Sequence, residues 1–210
     1  MSEFYDQMAS LYHLIFPNWE ESIERQATQF SSIIYERWPG AETILDVSCG
    51  IGTQSIGLAK RGFTVTASDL SDGAVARGDD DLLLALRQIH ACTRPGGGCL
   101  FTVRDYDQEE RGTGLVKPYG VREEDGKRYL IFQVWDFVDQ VYDMAMYFVT
   151  DDGVSEPATH VMRTRYNAVG TDHLLALMRE AGFASTERID GQFYQPVLIG
   201  NREVETTKTV

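Results

Sequence analysis

Apolar positions along the chain change period several times, and each change marks an element. Ile23, Ala27, Phe30, Ile34 and Trp38 recur at helical spacing. Asn18 with Glu21 forms a capping box ahead of that helix, and Pro39-Gly40 stops it. The pattern then switches to an apolar run, Ile44, Leu45 and Val47, which reads as a buried parallel strand. A Cys-Gly-Ile-Gly turn, Cys49 to Gly52, breaks the run, and a helix with Ile56, Leu58 and Ala59 follows. A second strand, 64–67, ends in Ser68-Asp69.

Further along, Leu82, Leu86 and Ile89 stripe a helix over 80–93 whose first turn is acidic, as the positive end of a helix dipole favours. Arg94-Pro95-Gly96-Gly97-Gly98 ends it, and 99–103 is the next strand, with Arg104-Asp105-Tyr106 at its carboxyl tip. Residues 127–137, 142–150 and 160–169 are rich in aromatic and β-branched side chains and are separated by short links, so an antiparallel meander is expected within 106–170. Thr171 or Asp172 is expected to cap a helix ending at Gly182, with strands at 185–189 and 195–199 after it.

A glycine turn at one strand's carboxyl end and an acid at the tip of the next make the crevice in which an open α/β sheet holds a nucleoside-bearing cofactor. Gly50 and Gly52 let the backbone approach a ligand. Asp69 can accept hydrogen bonds from two ribose hydroxyls. A dinucleotide fingerprint needs a third glycine where Ser55 stands, which argues against a nicotinamide cofactor.

Composition narrows the rest. The chain has 210 residues, 43% of them apolar, enough for one domain with a full core. The net charge of −13 argues against nucleic acid and anionic membranes as partners. No run approaches a membrane span, and the first residues lack the basic and apolar regions of a signal peptide. Cys49, Cys92 and Cys99 are odd in number and without metal spacing, so free thiols in a reducing cytoplasm are expected. Cys49 reads as a small turn residue whose backbone faces the ligand. No metal ligand set and no catalytic base emerge. His13, His90, His160 and His173 are scattered along the chain. Tyr5, Tyr12 and Trp19 recur every seven residues, a stripe that by itself reads as core packing.

The segment Asp46-Val47-Ser48-Cys49-Gly50-Ile51-Gly52, followed by Leu58-Ala59, resembles motif I of class I S-adenosylmethionine-dependent methyltransferases, with Ser48 at that motif's first glycine. The Arg94-Pro95-Gly96-Gly97 turn, the Arg104-Asp105-Tyr106 tip, the late meander, Phe193-Tyr194-Gln195-Pro196-Val197 and the N-terminal Tyr5-Asp6 to Tyr12 segment are similar to glycine/sarcosine N-methyltransferases and their bacterial relatives. The resemblance implies a single methyltransferase-like domain of α/β class, a Rossmann-like, mostly parallel sheet with an inserted antiparallel meander (106–170) and a helical lid (1–40). It implies S-adenosylmethionine as cofactor and a small amine such as glycine or sarcosine as methyl acceptor. Tyr5, Tyr12 and Trp19 would line the pocket under the lid. Asp46, Ser48, Cys49, Gly50 and Gly52 would shape the methionine end of the donor site, and Asp69 would hold the ribose. Arg104, Tyr106, Gln133, Tyr147, Arg163 and Arg165 would serve the acceptor. Arg163 and Arg165 share one strand face, so an inward clamp and two solvated side chains both fit their spacing.

One departure from the family pattern bears on activity. Only nine residues, 70–78, lie where that pattern has a helix, a third strand, another helix and a fourth strand. A contracted strand order, 2-1-5-7-6, is expected, with strand 99–103 beside 44–47 and the helix over 80–93 as the crossover. The adenine side of the pocket would then lie open. Weak donor affinity and impaired turnover would follow, with a role as a binding or interaction module the alternative.

Overall fold

The computed structural model describes Phe4, residues 7–69 and residues 79–204. Tyr5, the short segment 70–78 and the last six residues lie outside the described residues.

The N-terminal forty residues divide between two cores. A 3-10 turn, Tyr12–Ile15, leads to helix α1, Trp19–Arg37. Asn18 caps α1 by accepting from the Glu21 amide, as its spacing predicts. Phe4, Met8 and Leu14 are buried against the meander, whereas Phe30, Ile33 and Ile34 of α1 are buried in the α/β part. His13 Nε2 lies 2.8 Å from Glu124 Oε1, and Arg122 Nε donates to the Phe16 carbonyl at 3.2 Å. The segment before α1 is thus strapped to the meander.

Strand β1, Thr43–Asp46, pairs in parallel with β2, Thr64–Ala67, through helix α2, Thr53–Lys60. Helix α3, Asp79–Cys92, leads to β3, Gly98–Thr102. The meander is a four-stranded antiparallel sheet, β4 Leu115–Glu124, β5 Lys127–Val138, β6 Val141–Asp151 and β7 Ala158–Asn167, in sequence order. Its first strand was not expected from the sequence. Pro118 and the register shift beside Gly120 interrupt the alternation that would mark it. Helix α4, Thr171–Glu180, precedes β8, Ser185–Ile189, and β9, Val197–Asn201. Its N-cap is Gly170. Thr171 is already helical, and its amide donates to Asp107 Oδ2 at 3.3 Å, so a carboxylate from a distant loop does the capping that Thr171 or Asp172 was expected to do.

The sheet order departs from the contracted 2-1-5-7-6. The pairs β1-β2 and β3-β9-β8 form as expected, but β1 and β3 do not pair, and the two pieces remain separate sheets. Side-chain packing joins them instead. Ile44, Val65 and Leu100 all pack on one cluster, in which Phe30, Ile33 and Ile34 of α1 join Leu58, Phe63, Ile189, Phe193, Val197 and Ile199. Helix α3 packs on β3 and α4, so it does not carry β3 across to β1. The α/β part is also not mostly parallel. The loop 190–196 is too short for a crossover, so β9 returns antiparallel to β8 and to β3.

Candidate functional site

The turn after β1 is held by its two flanking acids. Asp46, the last residue of β1, accepts from the Ser48 amide at 3.2 Å through Oδ1 and from Ser55 Oγ at 2.5 Å through Oδ2. Asp69 follows β2, and its Oδ2 accepts from the Gly50 amide at 2.7 Å. Ser48 and Asp69 form an isolated bridge, and the Cys49 amide donates to the Ser68 carbonyl at 3.2 Å. Gly50 and Gly52 have φ of +50° and +84°, a region in which side chains are strained. A Cβ at Gly50 would meet nothing within 4 Å, so open space lies in front of this backbone. Trp19, the first residue of α1, donates from Nε1 to Thr53 Oγ1 at 3.0 Å, which brings its indole to the start of α2. Trp19, Asp46, Ser48, Cys49, Gly50, Gly52 and Asp69 are therefore gathered in one place.

Neither Cys49 of this turn nor Cys99 of β3 has an activated thiol. Burial pushes the Cys49 thiol up, and the charges of Asp46 and Asp69 push it further. Burial raises Cys99 to about 12. Among the described residues, no group of three His, Cys, Asp or Glu stands ready for a metal ion.

A second cluster forms where the loop after β3 meets the inner face of the meander. Arg104 stands over the Trp135 ring, 4.7 Å from its centroid, and Lys117 of β4 stands 5.1 Å from it. Glu109 accepts from both, at 3.0 Å from Arg104 Nη1 and 2.8 Å from Lys117 Nζ. Burial opposes the Arg104 charge, but Glu109 and the nearby tyrosines outweigh it and raise its pKa. Gln133 accepts from the Trp135 indole at 2.9 Å, and the hydroxyls of Tyr106 and Tyr142 share a hydrogen bond of 2.7 Å. Burial, with Tyr106 beside it, raises Tyr142 far above the usual phenol range.

Arg104, Tyr106 and Gln133 are thus brought together, while Tyr147, Arg163 and Arg165 are not brought to them. Strand alternation decides this. Tyr142, Met144, Met146 and Phe148 of β6 point into the core, so Tyr147 points the other way and stacks on Phe132 at 4.7 Å. Arg163 and Arg165 do share one face, and it is the exposed one. Arg165 is bound by Asp143 across the ladder, at 2.7 and 2.8 Å. Tyr12 packs on the rim of the meander core, 6.3 Å from Phe16.

Glu109, Lys117 and Trp135 join this cluster without having been singled out in the sequence. Glu109 follows Arg104 by five residues, and Lys117 alternates in register with Tyr119. Those signals become visible only once β4 is recognised as a strand.

No protein-family model matches the chain. A protein of Geobacillus sp. (strain WCH70), named provisionally as a methyltransferase, is 38% identical over 58 residues, which is 28% of this chain and 21% of that protein. The match therefore spans about a fifth of that relative. Among solved structures, DesVI of Streptomyces venezuelae is similar with a TM-score of 0.74 and 16% identity, over 94% of this chain and 98% of its own. CalS10 of Micromonospora echinaspora, an amino pentose methyltransferase solved with S-adenosylmethionine bound, gives 0.74 and 15%, over 92% and 95%. The sugar N-methyltransferase KedS8 from Streptoalloteichus sp ATCC 53650 gives 0.64 and 15%, over 86% and 88%. At these identities the likeness is one of fold, and the chain has the α/β fold of the class I methyltransferases.

Proposed function

We propose that the chain binds S-adenosylmethionine at the turn after β1 and passes its methyl group to the amine of a small molecule. The observation that carries this reading is the bracket between β1 and β2, in which Asp69 reaches Gly50 beside open space and Trp19 stands at the start of α2. Asp69 would hold the ribose through the carboxylate oxygen that Gly50 does not take. Asp46, Ser48, Cys49, Gly50 and Gly52 would shape the methionine end, Cys49 through its backbone. The donor supplies, when bound, a sulfonium methyl that is already activated.

The protein's own part is then alignment and the exclusion of water, because a neutral amine needs little acid–base help to attack such a methyl. Arg104, Tyr106 and Gln133 would face the acceptor, with Trp135 and Tyr142 behind them. Aromatic walls of this kind stabilise a methylated ammonium through cation–π contact. CalS10 is an amino pentose methyltransferase and KedS8 a sugar N-methyltransferase, which supports an amino sugar as acceptor. The resemblance to glycine/sarcosine N-methyltransferases supports an amino acid.

A second reading, a catalytically impaired methyltransferase fold that takes the donor poorly or not at all and acts as a binding or interaction module, is favoured by one observation. The Gly50 amide and one Asp69 oxygen already satisfy each other. Calorimetric titration with S-adenosylhomocysteine separates the readings. Saturation at about 100 times Kd stabilises by about 2.7 kcal/mol. Binding followed by methylation of an amine in the presence of S-adenosylmethionine supports the first reading and refutes the second, whereas binding without methylation, or no binding, refutes the first and supports the second.

A further inference from the structure

Three charged side chains beside the acceptor wall are committed to one another. Arg104 follows β3, Glu109 lies in the loop after it, and Lys117 stands on β4. Each oxygen of the Glu109 carboxylate takes one cation, Arg104 Nη1 at 3.0 Å and Lys117 Nζ at 2.8 Å. Both cations also lie over the Trp135 indole, which is 1% exposed, while the Glu109 side chain keeps 19% of its surface. Two cations on one aromatic floor, converging on both oxygens of a carboxylate, make a two-pronged fork for that group. The carboxylate in it belongs to the protein.

We propose that Glu109 fills this fork as a built-in carboxylate and thereby sets acceptor selectivity, refusing amines that carry an acid and admitting those that carry hydroxyls. The proposal deepens the methyltransferase reading and rests on it for its biological meaning, although the fork itself stands on geometry. Glu109 is tethered five residues from Arg104. A tethered group competes at an effective concentration on the order of millimolar or above. A free amino-acid carboxylate at lower concentration loses that contest. Burial alone would raise the Glu109 carboxyl, but hydrogen bonds and charge from Lys117 and Arg104 outweigh it and hold the carboxyl below its usual range. The fork therefore stays filled across the neutral range. Hydroxyls of an uncharged acceptor need no such displacement. They can accept from Arg104 and Lys117, or donate to Glu109, with the triad intact.

The test is calorimetric titration of sarcosine, and of glucosamine as an amine without an acid, into wild type, Glu109→Gln and Glu109→Ala. Each titration is run with and without S-adenosylhomocysteine, and melting curves are taken on the same samples. Sarcosine affinity is expected to rise at least tenfold in Glu109→Ala and several-fold in Glu109→Gln, which keeps the shape but loses the charge. Glucosamine affinity should not rise in either variant. Adding Arg104→Met to Glu109→Ala should abolish the gain. If Glu109→Ala fails to fold, the Glu109→Gln result decides. Equal sarcosine affinity in wild type and the variants, no sarcosine binding by any of them, or a gain that survives Arg104→Met overturns the proposal. S-adenosylhomocysteine binding with unchanged sarcosine affinity refutes the fork alone. A sarcosine gain without S-adenosylhomocysteine binding refutes the donor reading and leaves the fork.

Discussion

Asp69 fastens the glycine turn and is proposed to hold the ribose, so its loss acts twice. Asp69→Ala should weaken S-adenosylhomocysteine binding at least tenfold by calorimetry and also lower the melting temperature, because the Gly50 amide loses its acceptor. Glu109 gives a prediction with a pH signature. Its folded-state pKa is depressed, so its contribution is present above the unfolded value of about 4.3 and is lost as pH falls through the folded value. Glu109→Gln should therefore melt below wild type at pH 7, by about 1–3 kcal/mol of stability, and the two should converge in acid. Among the cysteines, Cys92 is exposed, while Cys99 is buried with its thiol raised to about 12. Iodoacetamide should label Cys92 first and leave Cys99 unlabelled until the chain unfolds, as read by peptide mass. At this scale Gly50, Gly52 and Asp69 are legible in the sequence because backbone demands and strand ends leave local marks. Glu109 and Lys117 are not, because what defines them is each other.

Elements meet where small residues let them. A Cβ on Gly57 of α2 would come within 2.7 Å of the Ala27 Cβ and 2.9 Å of the Ile23 carbonyl, both on α1. Helix propensity alone favours Gly57→Ala by up to about 1 kcal/mol. The close helix crossing reverses the sign, and a loss of about 1–3 kcal/mol in chemical denaturation is expected. Leu45 of β1 shows the opposite case. It is an apolar strand residue, expected to be buried, yet it is 50% exposed. Leu45→Lys should change stability by no more than about 0.5 kcal/mol. The helices and the three later meander strands follow from periodicity, since a buried face writes itself into every third, fourth or second residue. Which face of the meander is buried does not follow. Arg163 and Arg165 alternate correctly in either orientation, and only the packing of Phe4, Met8 and Leu14 against the other side decides that they face water.

At the scale of the molecule, β9 is buried on both faces and paired on both edges, whereas β1 has β2 as its one partner strand among the described residues. Hydrogen exchange should therefore protect the amides of β9 far longer than those of β1 and β2. If β1 exchanges as slowly as β9 in the isolated chain, some strand is pairing with it in solution, and the separation of the two sheets described above is wrong.

Local chemistry let the sequence determine the helices and their stops, the glycine turn between two strands, the acid at the second strand's tip and the inserted meander. Each depends on neighbours within a few residues, so periodicity and turn composition encode it directly. The register between distant strands depends on contacts that no local pattern records. Only the tertiary structure decided that β1 and β3 share a side-chain cluster rather than pair edge to edge, and that a distant Asp107 serves the start of α4. Only it decided that Glu109, Lys117 and Trp135 close around Arg104. A carboxylate neutralising two cations on an indole floor is a property of four residues from three parts of the chain, and it exists only when the fold has brought them together.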